Sequence, residues 1–399
     1  MTYQTRNNRI VSYKAQSALG TPASGASGFG LRIKKGSPGL RLQKEIIESQ
    51  TLRGDGQTVR GRHGSRSVAG SHVVEAALGE LDLLIAAGLR STVIPAATRT
   101  YDNSAGLTSL TVDSATQITQ VGTTTLLGVV SKGDLIKLAD MSTAGNNGIW
   151  FRVTNVTATV ITIAGGATAQ GADAACTLTV AKKMVQTNPP VESYWTFDDY
   201  GADIDVTRLS SDVKVASIGF SMQPGQPVEF TLGLMGLDQN TTATGSSPVL
   251  TSPTFQTSRS LIMADGTIRI NGVDYADITS FQGVLDCGGE IPAVLAPNGP
   301  DVFLDNAKLS GSLNALRTAD TFFTNFDSET QVEFFLHMIE QGDSDPKDFL
   351  SLYIGDAVFD GNDLGGNLAE EMTIPWRAGK DLAGNPSDAT MIKFCSSAA

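Results

Sequence analysis

The 399-residue sequence predicts a mainly β protein with few short helices. One β-plus-helix unit occurs twice, and a small all-β domain interrupts the first copy. Three observations predict this. Glycine is abundant, at 42 residues, while charged residues make up 18% and aromatics 7%, a balance that suits many short strands joined by turns. Short alternating patches of apolar residues dominate the chain, and helical spacing is confined to brief stretches. Finally, Arg66 to Leu89 has a second version, Lys308 to Phe326, displaced by 241 positions.

Arg66 to Leu89 (RSVAGSHVVEAALGELDLLIAAGL) reads as a strand running into an amphipathic helix. Val68, His72 and Val74 alternate with small or polar residues. Leu78, Leu81, Leu84, Ile85 and Leu89 then recur at helical spacing, with Gly88 placed to stop the helix. In the second version Gly70-Ser71 falls on Gly311-Ser312, Leu81 on Phe322 and Ile85 on Phe326.

Taken in order, residues 1–30 are polar and lack a sustained period. They are expected to form an N-terminal arm, flexible alone and ordered against a neighbour in an assembly. The first unit is expected over 31–104 and 187–237. Its first strand is Leu40 to Leu52, and Arg53 to Ser65 forms a Gly-rich basic loop before the strand at Arg66. Residues 105–186 change character to Thr, Val, Ala and Gly, with turn signals such as Gly165-Gly166. They predict an inserted domain of five or so short strands. Val191 to Tyr200, Asp205 to Gln223 and Pro227 to Met235 complete the first unit, and 238–260 reads as a linker. Over 261–399 the second unit repeats the order through Ala276 to Glu290, Lys308 to Leu316, a helix around Phe322, Phe323 and Phe326, Gln331 to Ile339, Phe349 to Phe359 and Glu371 to Ala378. It has no counterpart to the insert.

Several function classes find no support. Cys176, Cys287 and Cys395 form no CxxC pair, and His63, His72 and His337 are isolated, so neither a disulfide framework nor a zinc site is expected. Arg53-Gly54-Asp55 is explained by a glycine turn. No phosphate loop, nucleophile elbow or calcium loop occurs. Carboxylate groups such as Asp198-Asp199 and Glu370-Glu371 sit in polar runs rather than as a pair poised for catalysis. The expectation is a chain without enzymatic activity, cofactor or metal. No apolar run is long enough for a membrane span, and the N-terminus lacks a signal-peptide core, which points to synthesis and assembly in a cytoplasm.

The net charge of −12 is uneven: residues 1–100 hold 14 Lys/Arg against six Asp/Glu, or +8, leaving −20 for the remainder. That split suits head-to-tail contact between copies. Arg53, Arg60, Arg62 and Arg66 lie in one Gly-rich loop with only Asp55 beside them and no interleaved aromatics, so docking on an acidic face of another copy fits better than nucleic-acid reading. Candidate acidic faces are Glu340 to Asp348 and Asp360 to Asp363. Long alternating strands also leave edges that need covering, and closing edge to edge into a ring removes them.

On Glu45 to Glu75 with the following helix, Tyr194 to Met235, and Phe281 to Phe335, the sequence resembles the major tail tube proteins of long-tailed, non-contractile bacteriophages. The resemblance implies a duplicated tail-tube-type β-barrel or sandwich unit with one α-helix each. Six such domains line a ring, so three copies would form a homotrimeric pseudo-sixfold ring, a hexamer being the alternative. Stacked rings would pass DNA without gripping it, and partners would include the tape measure, tail terminator and distal tail proteins. The arm Met1 to Gly30 and the loop Arg53 to Arg66 match the segments that contact the adjacent ring. The insert would decorate the outside; another phage virion protein, a tail-tip, fibre or capsid decoration protein with a glycan-binding β module, is the alternative reading. A DNA conduit favours a negatively charged lumen, and Glu48, Glu75, Glu229 and Glu333 are the candidate lumen-facing carboxylates.

Overall fold

The structure is a computed structural model. It describes residues 3–398 except 49, 51–53, 56, 58–59, 105, 243–246, 296–298, 319–320, 341–347, 362, 366–368 and 382–389. The first unit opens with β1 (Arg9–Ala15), β2 (Phe29–Leu31), β3 (Gly39–Ile47), β4 (Arg62–Glu75) and α1 (Asp82–Gly88). An insert follows, with β5 (Ala97–Tyr101), β6 (Leu107–Ser114), β7 (Gln117–Gly122), β8 (Leu135–Ala139), β9 (Trp150–Val156), β10 (Val160–Ile163), β11 (Gln170–Asp173) and β12 (Cys176–Val180). The first unit resumes with β13 (Lys182–Val185), β14 (Trp195–Gly201), β15 (Val206–Met222), β16 (Glu229–Gly236) and β17 (Asp238–Thr242). The second unit holds β18 (Ile262–Ile270), β19 (Val273–Asp274), β20 (Ile278–Asp286), β21 (Gly289–Glu290), β22 (Phe303–Leu304), β23 (Lys308–Leu316), α2 (Thr321–Asp327), β24 (Val332–Ile339), β25 (Phe349–Phe359), β26 (Asp363–Gly365), β27 (Glu371–Ala378) and β28 (Lys393–Ser396).

Hydrogen-bond registers show the duplication directly. In the first unit the antiparallel pairs run β3–β4, β4–β16, β16–β15, β15–β14 and β14–β1. In the second they run β20–β23, β23–β27, β27–β25, β25–β24 and β24–β18. Gly70 faces Leu40 and Leu234, while Gly311 faces Gly283 and Trp376. A bulge interrupts β14 between Trp195 and Phe197, and β24 between Val332 and Phe334, at matching points. A bulge is a local kink with a definite position, so its recurrence is stronger support for duplication than apolar pattern alone.

Each unit is two layers sharing one long strand. The first half of β15 pairs with β14 and β17 in the outer layer; its second half pairs with β16 in the inner layer. β25 divides in the same way between β24 and β28 on one side and β27 on the other. Alternation along these strands sends Val74, Phe230, Phe220, Phe281, Leu313 and Trp376 into one continuous core between the layers.

Three expectations about organisation change. Residues 9–15 are not an arm: β1 and β2 belong to the outer layer, with Val11 and Tyr13 buried and Arg9 making two 2.7 Å bonds to Asp199. Two apolar residues are too weak a signal alone, and the partner strand lies 190 positions away. The expected linker begins with β17, which closes the first unit's outer layer as β28 closes the second's. The insert has eight strands in one sheet and spans 97–180, while β13 returns to the main body through β28.

Candidate functional site

The longest continuous surface of the fold is the inner layer. The second half of β15 pairs with β16 on one side and with β20 on the other, so the inner layers of both units form a single eight-stranded run, β3-β4-β16-β15-β20-β23-β27 and the end of β25 with β26. One face packs on the core. The other is open and carries Glu75, Glu229, Thr231, Gln282, Val284, Asp286, Ser310, Thr373 and Arg377. The run ends in two edges, β3 on one side and β25 with β26 on the other.

Of the carboxylates expected to face a lumen, Glu75 and Glu229 lie directly opposite each other on that open face. Like charges so placed repel, and here the arrangement is relieved by Lys34, which pairs with Glu229, and by Ser260 Oγ, which donates to Glu75 at 2.8 Å. Glu48 lies past the end of β3, exposed in the β3–β4 hairpin. Glu333 is a correction. It sits on the outer-layer strand β24, where Lys132 (2.8 Å) and Arg152 (2.9 Å) of the insert hold it. Asp286 and Glu371 are open-face carboxylates beyond those expected to line a lumen, and Asp363, expected on an acidic docking face, shares the open face with them; only the register reveals this. Lys308, Arg377 and Arg41 share that face.

Of the loop arginines, Arg53 lies outside the described residues. Arg60 is exposed, Arg62 opens β4 opposite Ile47, and Arg66 bridges Asp238 at 3.1 Å. Of the acidic faces, Asp360 pairs with Arg377, Asp363 is exposed on β26, and 341–347 lie outside the described residues.

The insert leans on the second unit, with Lys183 of β13 joining the contact from the first. Trp150 meets Phe349 edge-on at 5.1 Å, and the Arg152 guanidinium lies over the Phe335 ring at 4.9 Å. Beneath them, Asp134 of the insert accepts from Lys393 (2.8 Å) and Lys183 (3.0 Å), all three fully buried. Buried charges are tolerated only when paired and hydrogen-bonded, and this cluster fixes the insert to the layer opposite the open face. Burial pushes the Cys395 thiol up to about 12, with Asp134 adding to the effect, and Cys176 and Cys287 up to about 11. All three thiols are held protonated and unreactive. Among the described residues no group of three metal-ligating side chains converges, and no helix is long and apolar enough to cross a membrane.

A sequence model of the phage tail tube protein family matches residues 6–378. The chain belongs to the phage tail tube protein family. No curated protein matches the chain. This is a structural family, so the chain is a structural component of a bacteriophage tail that assembles with itself and with other tail proteins. The match begins at residue 6, before β1, and reaches the end of β27, so it covers the first unit, the insert within it and the second unit up to β27.

Proposed function

We propose that this tail tube protein is the wall subunit of a non-contractile tail: three copies close laterally into a pseudo-sixfold ring, the open faces line a lumen, and stacked rings carry DNA from the head during ejection. The observation that carries this reading is the β15–β20 junction, which already joins two equivalent units edge to edge within one chain. The free edges at β3 and β26 can continue the same sheet, and closure removes both. Three copies would bring about 24 strands to the ring, which at strand spacing and tilt gives a bore on the order of 40–50 Å between backbones.

The open face carries Glu75, Glu229, Asp286, Glu371 and Asp363 against Arg41, Lys308 and Arg377, with Lys34 engaged by Glu229. A wall of mixed charge with an acidic excess lets a polyanion slide, because few cations remain to condense phosphates. Arg60 and Arg62, on the hairpin that extends beyond the sheet, are the contacts offered to the adjacent ring. The insert stands on the outside of the pipe. Assembly takes place in the host cytoplasm.

Electron microscopy of purified full-length protein tests this. Rings or tubes with three chains per ring are expected; a particle that stays monomeric at high protein concentration and in the presence of other tail components overturns the reading.

A further inference from the structure

The junction between the two units is a template for a junction between two copies. We propose that β26 of one copy pairs with β3 of a second copy in the register by which β15 pairs with β20, setting Asp363 opposite Arg41, Leu364 opposite Leu40 and Gly365 opposite Gly39. This rests on the tube reading and adds the two surfaces and the register that join neighbours.

The register follows from matched positions. Asp363, Leu364 and Gly365 face Thr373, Met372 and Glu371 on β27, as Gly219, Phe220 and Ser221 face Thr231, Phe230 and Glu229 on β16. Gly39, Leu40 and Arg41 face Ser71, Gly70 and Ala69 on β4, as Gln282, Gly283 and Val284 face Ser312, Gly311 and Ser310 on β23. Within the chain, Gly219 pairs with Val284, Phe220 with Gly283 and Ser221 with Gln282. Carrying those three pairs over to the free edges gives the three intermolecular pairs.

The two edges carry what such a junction needs, with the Gln239 amide, which holds the Leu40 carbonyl at 3.3 Å and the Leu42 N–H at 3.2 Å on the β3 edge, giving way to the incoming strand. Where the internal junction has the uncharged pair Gly219 and Val284, the external one brings together Asp363 and Arg41. Both are exposed, and neither has an ion-pair partner among the described residues. Phe220 is 3% exposed under the neighbouring unit, whereas Leu364 at the matching place is 55% exposed. The missing cover is the next copy.

The same template places the base of the β3–β4 hairpin. Its counterpart is β21 with β22: Gly289 faces Leu304 and Glu290 faces Phe303, as Ile46 faces His63 and Ile47 faces Arg62. Within the chain this segment seats on the first unit. Cys287 Sγ donates to the Gly88 carbonyl at 3.3 Å, and Gly289 lies so close to Met235 and Ala216 that an added Cβ would fall 2.3 Å from the Met235 sulfur. The matching seat on the second unit is an open notch lined by Phe326, Asp327, Glu329, Phe359, Asp360 and Arg377. The residues that would enter it are Lys44 and Ile46, the latter 64% exposed. An ammonium arrives at Asp327 and Glu329, Asp360 being paired with Arg377, and a bare isoleucine arrives at two phenylalanines, so charge and apolar surface are complementary at once.

The test is an intermolecular crosslink in the full-length protein. Arg41→Cys combined with Asp363→Cys should, on mild oxidation of assembled rings, give a covalent ladder ending at three chains, and either single variant should give none. The three native cysteines are buried and contribute no background. In parallel, Arg41→Asp and Asp363→Arg should each raise the protein concentration needed for ring formation at least about tenfold. The double exchange should return it to within about threefold. Circular dichroism of the unassembled chains confirms that each variant folds. Rings that form without the 41–363 crosslink overturn the register and leave the tube reading standing. Wild-type protein that forms no ring overturns both.

Discussion

The two units share strand order, register and the place of a bulge, yet their helices live in different surroundings. Every residue of α1 except Leu83 is buried, with Leu84 and Ile85 fully so, and Lys182 reaches Asp82 at 3.3 Å. The second unit covers this helix: Cys287 reaches the Gly88 carbonyl, and Arg90 just beyond the helix contacts the Asp305 carbonyl at 3.4 Å. In α2 only Phe322 is buried, and Phe323 is 51% exposed. The burial of a repeated element is therefore set by what its neighbour supplies, and the second unit lacks a neighbour within its own chain. Its outer layer does have a neighbour within the chain, since the insert covers β24 and β25 through Trp150 and Arg152 and β28 through the buried Asp134–Lys393 pair.

Four experiments break or sharpen that comparison, from the largest expected effect down. Asp134→Ala leaves Lys183 and Lys393 without the carboxylate that holds them in the buried contact between insert and second unit. We expect a loss of about 3–5 kcal/mol by chemical denaturation. Next, Leu84→Ala in α1 should cost about 2–5 kcal/mol, whereas Phe323→Ala in α2 should stay within about 0.5 kcal/mol in the unassembled chain. Equal losses at both sites would show that the helices are not differently covered.

Acid supplies the third. Each unit holds one histidine in its interior, His72 buried and His337 partly so: desolvation, with Arg9 adding to it, lowers His72 to about 4, and desolvation, with Arg269 adding to it, lowers His337 to about 4, from an ordinary 6.5. The unfolded chain takes up these protons near pH 6.5 and the folded chain only near pH 4. Stability is thus whole above that window and falls as pH drops through it, by about 3 kcal/mol per histidine at its lower end. His337→Phe should flatten part of the slope measured by denaturation at successive pH values. Smallest, Gly70→Ala and Gly311→Ala should each cost about 1–3 kcal/mol. An added Cβ would lie 2.2 Å from the Gly39 carbonyl in one case and 2.1 Å from the Gln282 carbonyl in the other. Matched losses sharpen the equivalence of the two sites; a large loss at one and none at the other breaks it.

The parts legible in sequence were those whose signal is local. Arg66 to Leu89 and Lys308 to Phe326 announce themselves by alternation followed by helical spacing, and the insert by its change in composition. The inner-layer strands around Asp205, Pro227, Ala276 and Glu371 were found for the same reason. What was missed depends on distant partners. β1 and β2 look like arm because their pairing strand comes after the insert, and β17 looks like linker because its Asp, Gln, Asn and Thr gain strand geometry only beside β15. Glu333 was expected on the inner wall, because alternation tells that a side chain leaves the core but not which layer it leaves from.

From composition and period alone, this chain had to be a β-rich repeat with open strand edges, since those properties depend on residue type and spacing along a few turns of backbone. Which edges remain free, which carboxylates share the open face, and where the insert leans came only with the folded chain. Those answers depend on pairings between residues as far apart as Asp134 and Lys393, and on the division of β15 between two layers, where one residue of register exchanges the faces of a whole strand.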